Sequence, residues 1–439
     1  MDGILKAKRI SVGDGARITT SGVVYEGLLM PRIEVGDDNV LILKLQSGYN
    51  IGLEYSSSMQ IEKMEANAFS EKPTPRYSLK KSSLPKISLI ATGGTIASKI
   101  DYRLGGVKSL LEPQEICQAM PELVNVISFK SLLSPFKIFS ENMSPVEWQK
   151  IAALAAKELN SDIKGLVITH GTDTLHFTSA ALSFMLKNLC KPVALVGAQR
   201  SPDRGSFDGA MNMACAAHYL LSDAAEVAIV MHATSSDDYC YAIRGTKVRK
   251  MHTSRRDAFR PVNDLPLAKI YSNGRTEFLK KNYRKRSAGK VVADTAFEKK
   301  VALLKAYPGS EPGLVDFLID KKYKGIVVEA TALGQIPTFT FDKKNSWLPQ
   351  IKRAVEEGII VAFATQCLYG RTNPFVYETA REMYRLGVIY CEDMLPEVAY
   401  VKLGWVLGHT RKKEEVRKLM LTSLAGEINP MLTEEEFLI

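Results

Sequence analysis

Residues 87–99, ISLIATGGTIASK, decide the architecture. Four of the first five side chains are apolar, and the run then breaks into Thr92-Gly93-Gly94-Thr95. A short, continuous apolar segment reads as a strand covered on both faces, the kind found in parallel sheets. Glycines directly after it let the backbone take turns that other residues resist, and let it come close to a ligand. Residues 165–177, GLVITHGTDTLHF, repeat the plan with Gly171, Thr172 and Asp173. Ligands of open α/β sheets bind beyond the carboxyl ends of the strands, so the two hydroxyl-bearing turns are expected to face each other across one site.

Further strand-like runs lie at 192–196, 226–231, 325–330 and 358–364, with helical segments between several of them. The clearest helix covers 145–159. Ser144 suits its N-cap, Pro145 its first position, and Glu147 completes a capping box. Trp148, Ile151, Ala152, Ala155 and Leu159 recur at helical spacing. Strand–helix alternation predicts mostly parallel sheets covered by helices. Ahead of this region, residues 1–65 read as a small all-β, barrel-like domain with glycine-punctuated strands. Residues 66–86, with prolines, serines and basic side chains but no period, read as a linker. The expected organisation is therefore a β domain, a linker, an α/β domain at 87–285 holding the site, and a second α/β domain at 300–439. A basic, weakly periodic stretch near 275–298 is expected to separate the two α/β domains.

Composition narrows the class. A chain of 439 residues exceeds the typical domain of about 150. No apolar run reaches the ~18–20 residues that span a bilayer, and the first ten residues lack a signal-peptide core. Six scattered cysteines without a Cys-x-x-Cys pair read as reduced thiols of a cytoplasmic protein. The histidines lack metal-ligand spacing, so no metal and no cofactor are expected in this chain. The formal charge of +10 gathers at 244–260 and 280–290. No aromatic interleaving or RNA-binding signature accompanies it, so a solvated or interface surface is the simpler reading.

Gly-Gly-Thr and Gly-Thr-Asp turns leave backbone N–H groups free to bind developing negative charge. Neither turn fits a nucleotide-binding fingerprint. A threonine hydroxyl is a weak nucleophile at neutral pH and needs a base or a stabilising neighbour, such as a tyrosine or a lysine held neutral. Lys250 sits among Arg244, Lys247, Arg249, Arg255 and Arg256, whose charge would disfavour its protonated form. Asp173 beside it would act in the opposite sense.

The motifs IATGGTIASK and ITHGTDTLHFTSAALSFML, followed by ALVGAQRSPDRGSFDGAMNM, resemble the L-asparaginase/glutaminase family in order and spacing. The likeness extends over about residues 87–420. It implies an amidohydrolase that works through a threonine acyl-enzyme. By motif, the family's catalytic residues fall on Thr95, Thr172, Asp173, Lys250 and Tyr102, with Lys247 the rival lysine. Thr95 is favoured as the attacking group, with Tyr102 closing over it. Thr172 and Lys250 would relay a proton or activate water, and Asp173 would hold the substrate α-amino group. Backbone groups at Gly94 and Thr172 would hold the oxyanion. The substrate segment, usually Gly-Ser-Gln-Asp, aligns with Phe139-Ser140-Glu141-Asn142, making Ser140 and Glu141 substrate-binding candidates and leaving the choice between glutamine and asparagine open.

The β-rich head and the run RGTKVRKMHTSRRDAF resemble the glutaminase subunits of archaeal glutamyl-tRNA(Gln) amidotransferases. That likeness implies ammonia supply to a partner, the E subunit, which binds Glu-tRNA(Gln) and carries the ATP and Mg chemistry. It implies a homodimer of this chain within a two-plus-two complex. A free-standing cytoplasmic L-asparaginase and a non-enzymatic RNA-binding scaffold are the competing readings.

Overall fold

The computed structural model describes residues 2–31, 39–64, 83–100, 107–109, 113–118, 123, 125–202 and 204–437. The expected linker falls largely outside them, as does Tyr102.

The amino-terminal unit is a five-stranded antiparallel sheet. Gly15–Thr20 lies between Val23–Met30 and Gln60–Lys63, and Val40–Leu45 and Asn50–Glu54 follow beyond Val23–Met30. Side chains two apart share a face of a strand, and Ala16, Ile18, Leu41 and Leu43 use that spacing to build one core. The unit touches the next domain where Tyr49 lies against Gly205 and its hydroxyl meets that of Ser206.

The second unit is built on an eight-stranded sheet. Its parallel part runs Ser128–Leu133, Lys86–Ala91, Leu166–Thr169, Val193–Val196, Val227–His232. The sequence's apolar runs coincide with four of these strands. Their burial explains the missing alternation: Leu166 and Ile168 enter the core on one face, Val167 the core on the other. Helices Pro145–Leu159 and Leu175–Met185 cover the first face, and Gly209–Leu221 the second. Pro145–Leu159 has the expected bounds, the Ser144 cap and the Glu147 capping box. Beyond Val227–His232 the sheet turns antiparallel through Cys240–Arg244, Ala268–Ile270 and Thr276–Phe278. The basic stretch near 275–298 thus begins as an edge strand of this sheet. It stays fastened to the domain because Arg286 donates to the carbonyls of Lys164, Leu220 and Ser222.

The third unit is a four-stranded parallel sheet in the order Val301–Lys305, Gly325–Ala330, Ile360–Thr365, Ile389–Tyr390. Its helix Pro396–Leu407 packs on Leu175–Met185 of the second unit, where Phe184 and Trp405 stack at 6.1 Å between ring centres. Among the described residues no helix is long and apolar enough to cross a membrane.

Candidate active site

Strand order fixes where a site can form. From Lys86–Ala91 the chain first adds Ser128–Leu133 on one side, then returns to place Leu166–Thr169 on the other. The crevice at such a reversal, past the carboxyl ends, is the usual binding position of an open α/β sheet. Three adjacent parallel strands end there. They lead to the turns carrying Thr95, Ser140 and Thr172.

The three turns are zipped together through the first. Thr92 donates from both its backbone N–H and its Oγ1 to the carbonyl of Thr169, at 3.0 and 2.9 Å. Ile138 N donates to Thr92 O at 3.1 Å. Gly94 has φ of 79°, a left-handed value that favours glycine, and a Cβ there would lie 2.8 Å from His170 C and closer still to Gly171. The two glycine turns therefore meet backbone to backbone, as the repeated motif requires. Thr95 follows at the start of the 3-10 turn Thr95–Ala97, half-buried. That turn is closed by Ala97 N and Ser98 Oγ, both donating to Gly94 O.

Thr172 is buried at 6% exposure, and its hydroxyl lies 2.9 Å from Lys250 Nζ. Lys250 also donates to Asp173 Oδ1 at 2.7 Å. Lys250 is largely buried, whereas the Asp173 side chain is 64% exposed, so the carboxylate faces the open side of the site. The rival Lys247 is buried elsewhere, 2.5 Å from Asp393 Oδ2. Lys247 precedes the short strand Val248–Lys250 and is engaged by the third unit, whereas Lys250, in that strand, reaches Thr172.

Ser140 is 2% exposed and binds the second turn twice. Its Oγ accepts from Asp173 N at 3.2 Å, and its carbonyl accepts from Thr174 Oγ1 at 2.6 Å. Glu141 lies next to it in the 3-10 turn Ser140–Asn142, exposed to solvent. The structure thus brings Gly94, Thr95, Ser140, Thr172, Asp173 and Lys250 into one region, with Glu141 at its rim. Tyr102 lies outside the described residues.

Two supports escape sequence reasoning. His170 is fully buried, and its Nδ1 lies 2.7 Å from Gly171 O, so that nitrogen must donate. Its Nε2 then accepts from Thr178 Oγ1 at 2.9 Å, and Thr178 in turn accepts from Trp148 Nε1 at 3.1 Å. Burial holds the imidazole neutral, with its pKa pulled down to about 4. This relay braces the Gly171 turn. Gly197 is the second support: a Cβ there would lie 2.7 Å from Thr172 Cγ2. A glycine directly after the 193–196 run is the one signal for it in the sequence.

Comparison with known proteins identifies the family. The family described as "Asparaginase, N-terminal" matches residues 86–284, and "Glutaminase/Asparaginase C-terminal domain" matches 300–420. The family "GatD N-terminal domain" matches residues 10–64. The chain is 52% identical over 445 residues to the D subunit of the glutamyl-tRNA(Gln) amidotransferase of Pyrococcus abyssi, covering 100% of this chain and 99% of that one. It is 52% identical over 443 residues to the corresponding D subunit of Pyrococcus furiosus, covering 99% of both. Among solved structures it resembles the thermostable L-asparaginase from Thermococcus kodakarensis, with a TM-score of 0.70 at 28% identity over 79% of this chain and 100% of that one. L-asparaginase I from Vibrio cholerae gives 0.67 at 28% identity over the same shares.

Proposed function

Since the chain belongs to the glutaminase/asparaginase family, in its branch of glutamyl-tRNA(Gln) amidotransferase D subunits, we propose that its site hydrolyses the side-chain amide of glutamine. The ammonia released would serve transamidation of Glu-tRNA(Gln) to Gln-tRNA(Gln). The observation that carries this reading is the Thr172–Lys250–Asp173 hydrogen-bonded group on a turn that abuts the Thr95 turn.

Thr95 attacks the amide carbon, and N–H groups around Gly94 and Thr172 hold the oxyanion. One such donor contributes about 10²–10³ in rate. Lys250 and Thr172 shuttle the proton that the leaving ammonia needs, then activate the water that hydrolyses the ester. Tyr102, placed by sequence on the loop after Thr95, closes over the nucleophile. Asp173, with its exposed carboxylate, takes the substrate α-ammonium group. Ser140 and Glu141 border the same end of the pocket. Ser140 already orients the Asp173 backbone, which supports the alignment of this segment with the family's substrate strip.

The β-rich head and the likeness to the Pyrococcus proteins support a place in the amidotransferase. Its E subunit would bind Glu-tRNA(Gln), with ATP and Mg acting there, and this chain would form a homodimer within a two-plus-two complex. A cytoplasmic setting suits the free cysteines, most of them buried, among the described residues. The test is ammonia release from glutamine and from asparagine by the purified chain, alone and then with the E subunit and Glu-tRNA(Gln). Glutamine turnover is expected to rise sharply in the full mixture. An unchanged rate with asparagine preferred would identify a free-standing asparaginase instead.

A further inference from the structure

The strand that carries the site lysine is fastened to the carboxy-terminal unit by charge. Lys247, just ahead of the strand Val248–Lys250, and Arg249, within it, both reach carboxylates of the third unit, while Lys250 reaches Thr172. Lys247 Nζ meets Asp393 Oδ2 at 2.5 Å with both side chains fully buried. Arg249 Nε lies 3.4 Å from Glu397 Oε1, a carboxylate only 3% exposed. Asp393 lies just ahead of helix Pro396–Leu407, and Glu397 in its first turn. That same helix packs on Leu175–Met185, which begins directly after the Thr172–Asp173 turn. One element of the third unit therefore supports both partners of the Lys250–Thr172 hydrogen bond.

Stability alone is a poor reason for this arrangement. The desolvation of buried ion pairs offsets most of their attraction, and apolar replacements are often neutral. Their attested value is fixing one geometry. Arg249 also has to be held in one direction, because it adjoins Lys250. His176 stands close by, its Nε2 3.7 Å from Glu397 Oε1. Its pKa falls to about 3 through burial and the nearby Arg249 and Lys250 charges, so it remains neutral and leaves the carboxylate to Arg249.

We propose that Glu397 is a positioning residue for glutamine hydrolysis: through Arg249 it holds Lys250 in hydrogen-bonding register with Thr172 from across the domain boundary. The proposal rests on the reading of Lys250 as the lysine of the site. Misplacing a reacting group by about 1 Å can lower a rate by ~10²-fold.

The test uses the full-length chain, alone and with the E subunit and Glu-tRNA(Gln), and glutamine as substrate. Arg249→Met/Glu397→Gln removes both charges without leaving either buried alone. It is expected to fold with an unfolding midpoint close to that of the parent, and to lose ~10-fold to 10²-fold in kcat. Its KM for glutamine should stay unchanged, since neither residue is placed against substrate. Arg249→Lys, which keeps a cation opposite Glu397, should restore most of the loss. A folded double variant with parental kcat overturns the proposal, as does an activity loss that only tracks the unfolded fraction. Lys250→Met separates the two levels. If that variant stays active, the site reading fails; if it is inactive while the double variant is normal, only the positioning role fails.

Discussion

Replacing Lys250 by methionine separates chemistry from architecture at this site. Methionine keeps an unbranched apolar stem and deletes only the ammonium group, with its bonds to Thr172 Oγ1 at 2.9 Å and Asp173 Oδ1 at 2.7 Å. The stability cost is small on both sides. The Asp173 side chain is 64% exposed, so its ion pair contributes less than about 1 kcal/mol once solvent screening is counted. The Thr172 hydroxyl is buried and loses one partner, which costs about 1–3 kcal/mol. For a domain of this size, each kcal/mol moves the midpoint by roughly 2–4 °C.

The catalytic cost is larger. A positioned proton-transfer group contributes about 10²–10⁴ in rate, or roughly 3–5 kcal/mol of barrier. Ammonia release from glutamine, read through a coupled glutamate dehydrogenase assay, should therefore collapse while thermal unfolding shifts by only several degrees. Transamidation supplied with free ammonium salt should persist in the assembled complex, since that step bypasses the site. A folded Lys250→Met protein with parental kcat/KM on glutamine would refute the assignment of Lys250 and the Thr172–Lys250 relay with it.

Thr172→Val keeps the methyl that seats against Gly197 and removes only the hydroxyl; glutamine-dependent transamidation should be abolished and the ammonium-fed reaction spared, measured by acid-gel analysis of the aminoacyl-tRNA. Gly94→Ala places a Cβ against Gly171 at a left-handed φ of 79°, so the two turns must separate; we expect a lowered unfolding midpoint together with loss of glutaminase activity, and a stable, active variant would show that the turns need not touch. His170 titrates near 4 when folded against 6.5 for a free imidazole, so the unfolded chain binds the extra proton between those pH values. Its contribution to stability is complete above about pH 6.5 and is lost as pH falls towards 4, by up to roughly 3 kcal/mol. Urea midpoints measured across that window should fall less steeply for His170→Gln than for the parent.

Local signals in the chain suffice for the parts that are built locally. Pro145–Leu159 is legible to the residue because its cap, its proline and its apolar stripe all lie within sixteen consecutive positions, 144–159. The buried parallel strands are legible because double-sided burial removes alternation. Ala268–Ile270 and Thr276–Phe278 are not, since three residues show no period, and they extend the sheet antiparallel only through pairing with Cys240–Arg244 and with each other. At the site, the paired glycine turns stand out in the chain, but their meeting is set by strand order. The choice between Lys250 and Lys247 depends on which of them meets Asp173 and which meets Asp393, 146 positions beyond Lys247. A sequence pattern does not show such long-range partners.

Charge is the least legible property, and the structure changes its meaning. Every lysine and arginine in the basic run 244–260 has a carboxylate within 4.0 Å. Arg244 serves Glu226 and Asp264, and Arg255 and Arg260 converge on Asp257. A phosphate-binding surface needs cations whose charge is uncommitted, because the affinity comes from neutralising phosphates and releasing their counterions. In this run the charge is already committed to carboxylates drawn from both α/β units. Within this run, Lys247 and Arg249 also tie the lysine-bearing segment to the third unit. Attraction of tRNA then has to arise outside this run, on this chain or on its partner, and altering Glu397 should disturb glutamine chemistry before it disturbs any RNA contact.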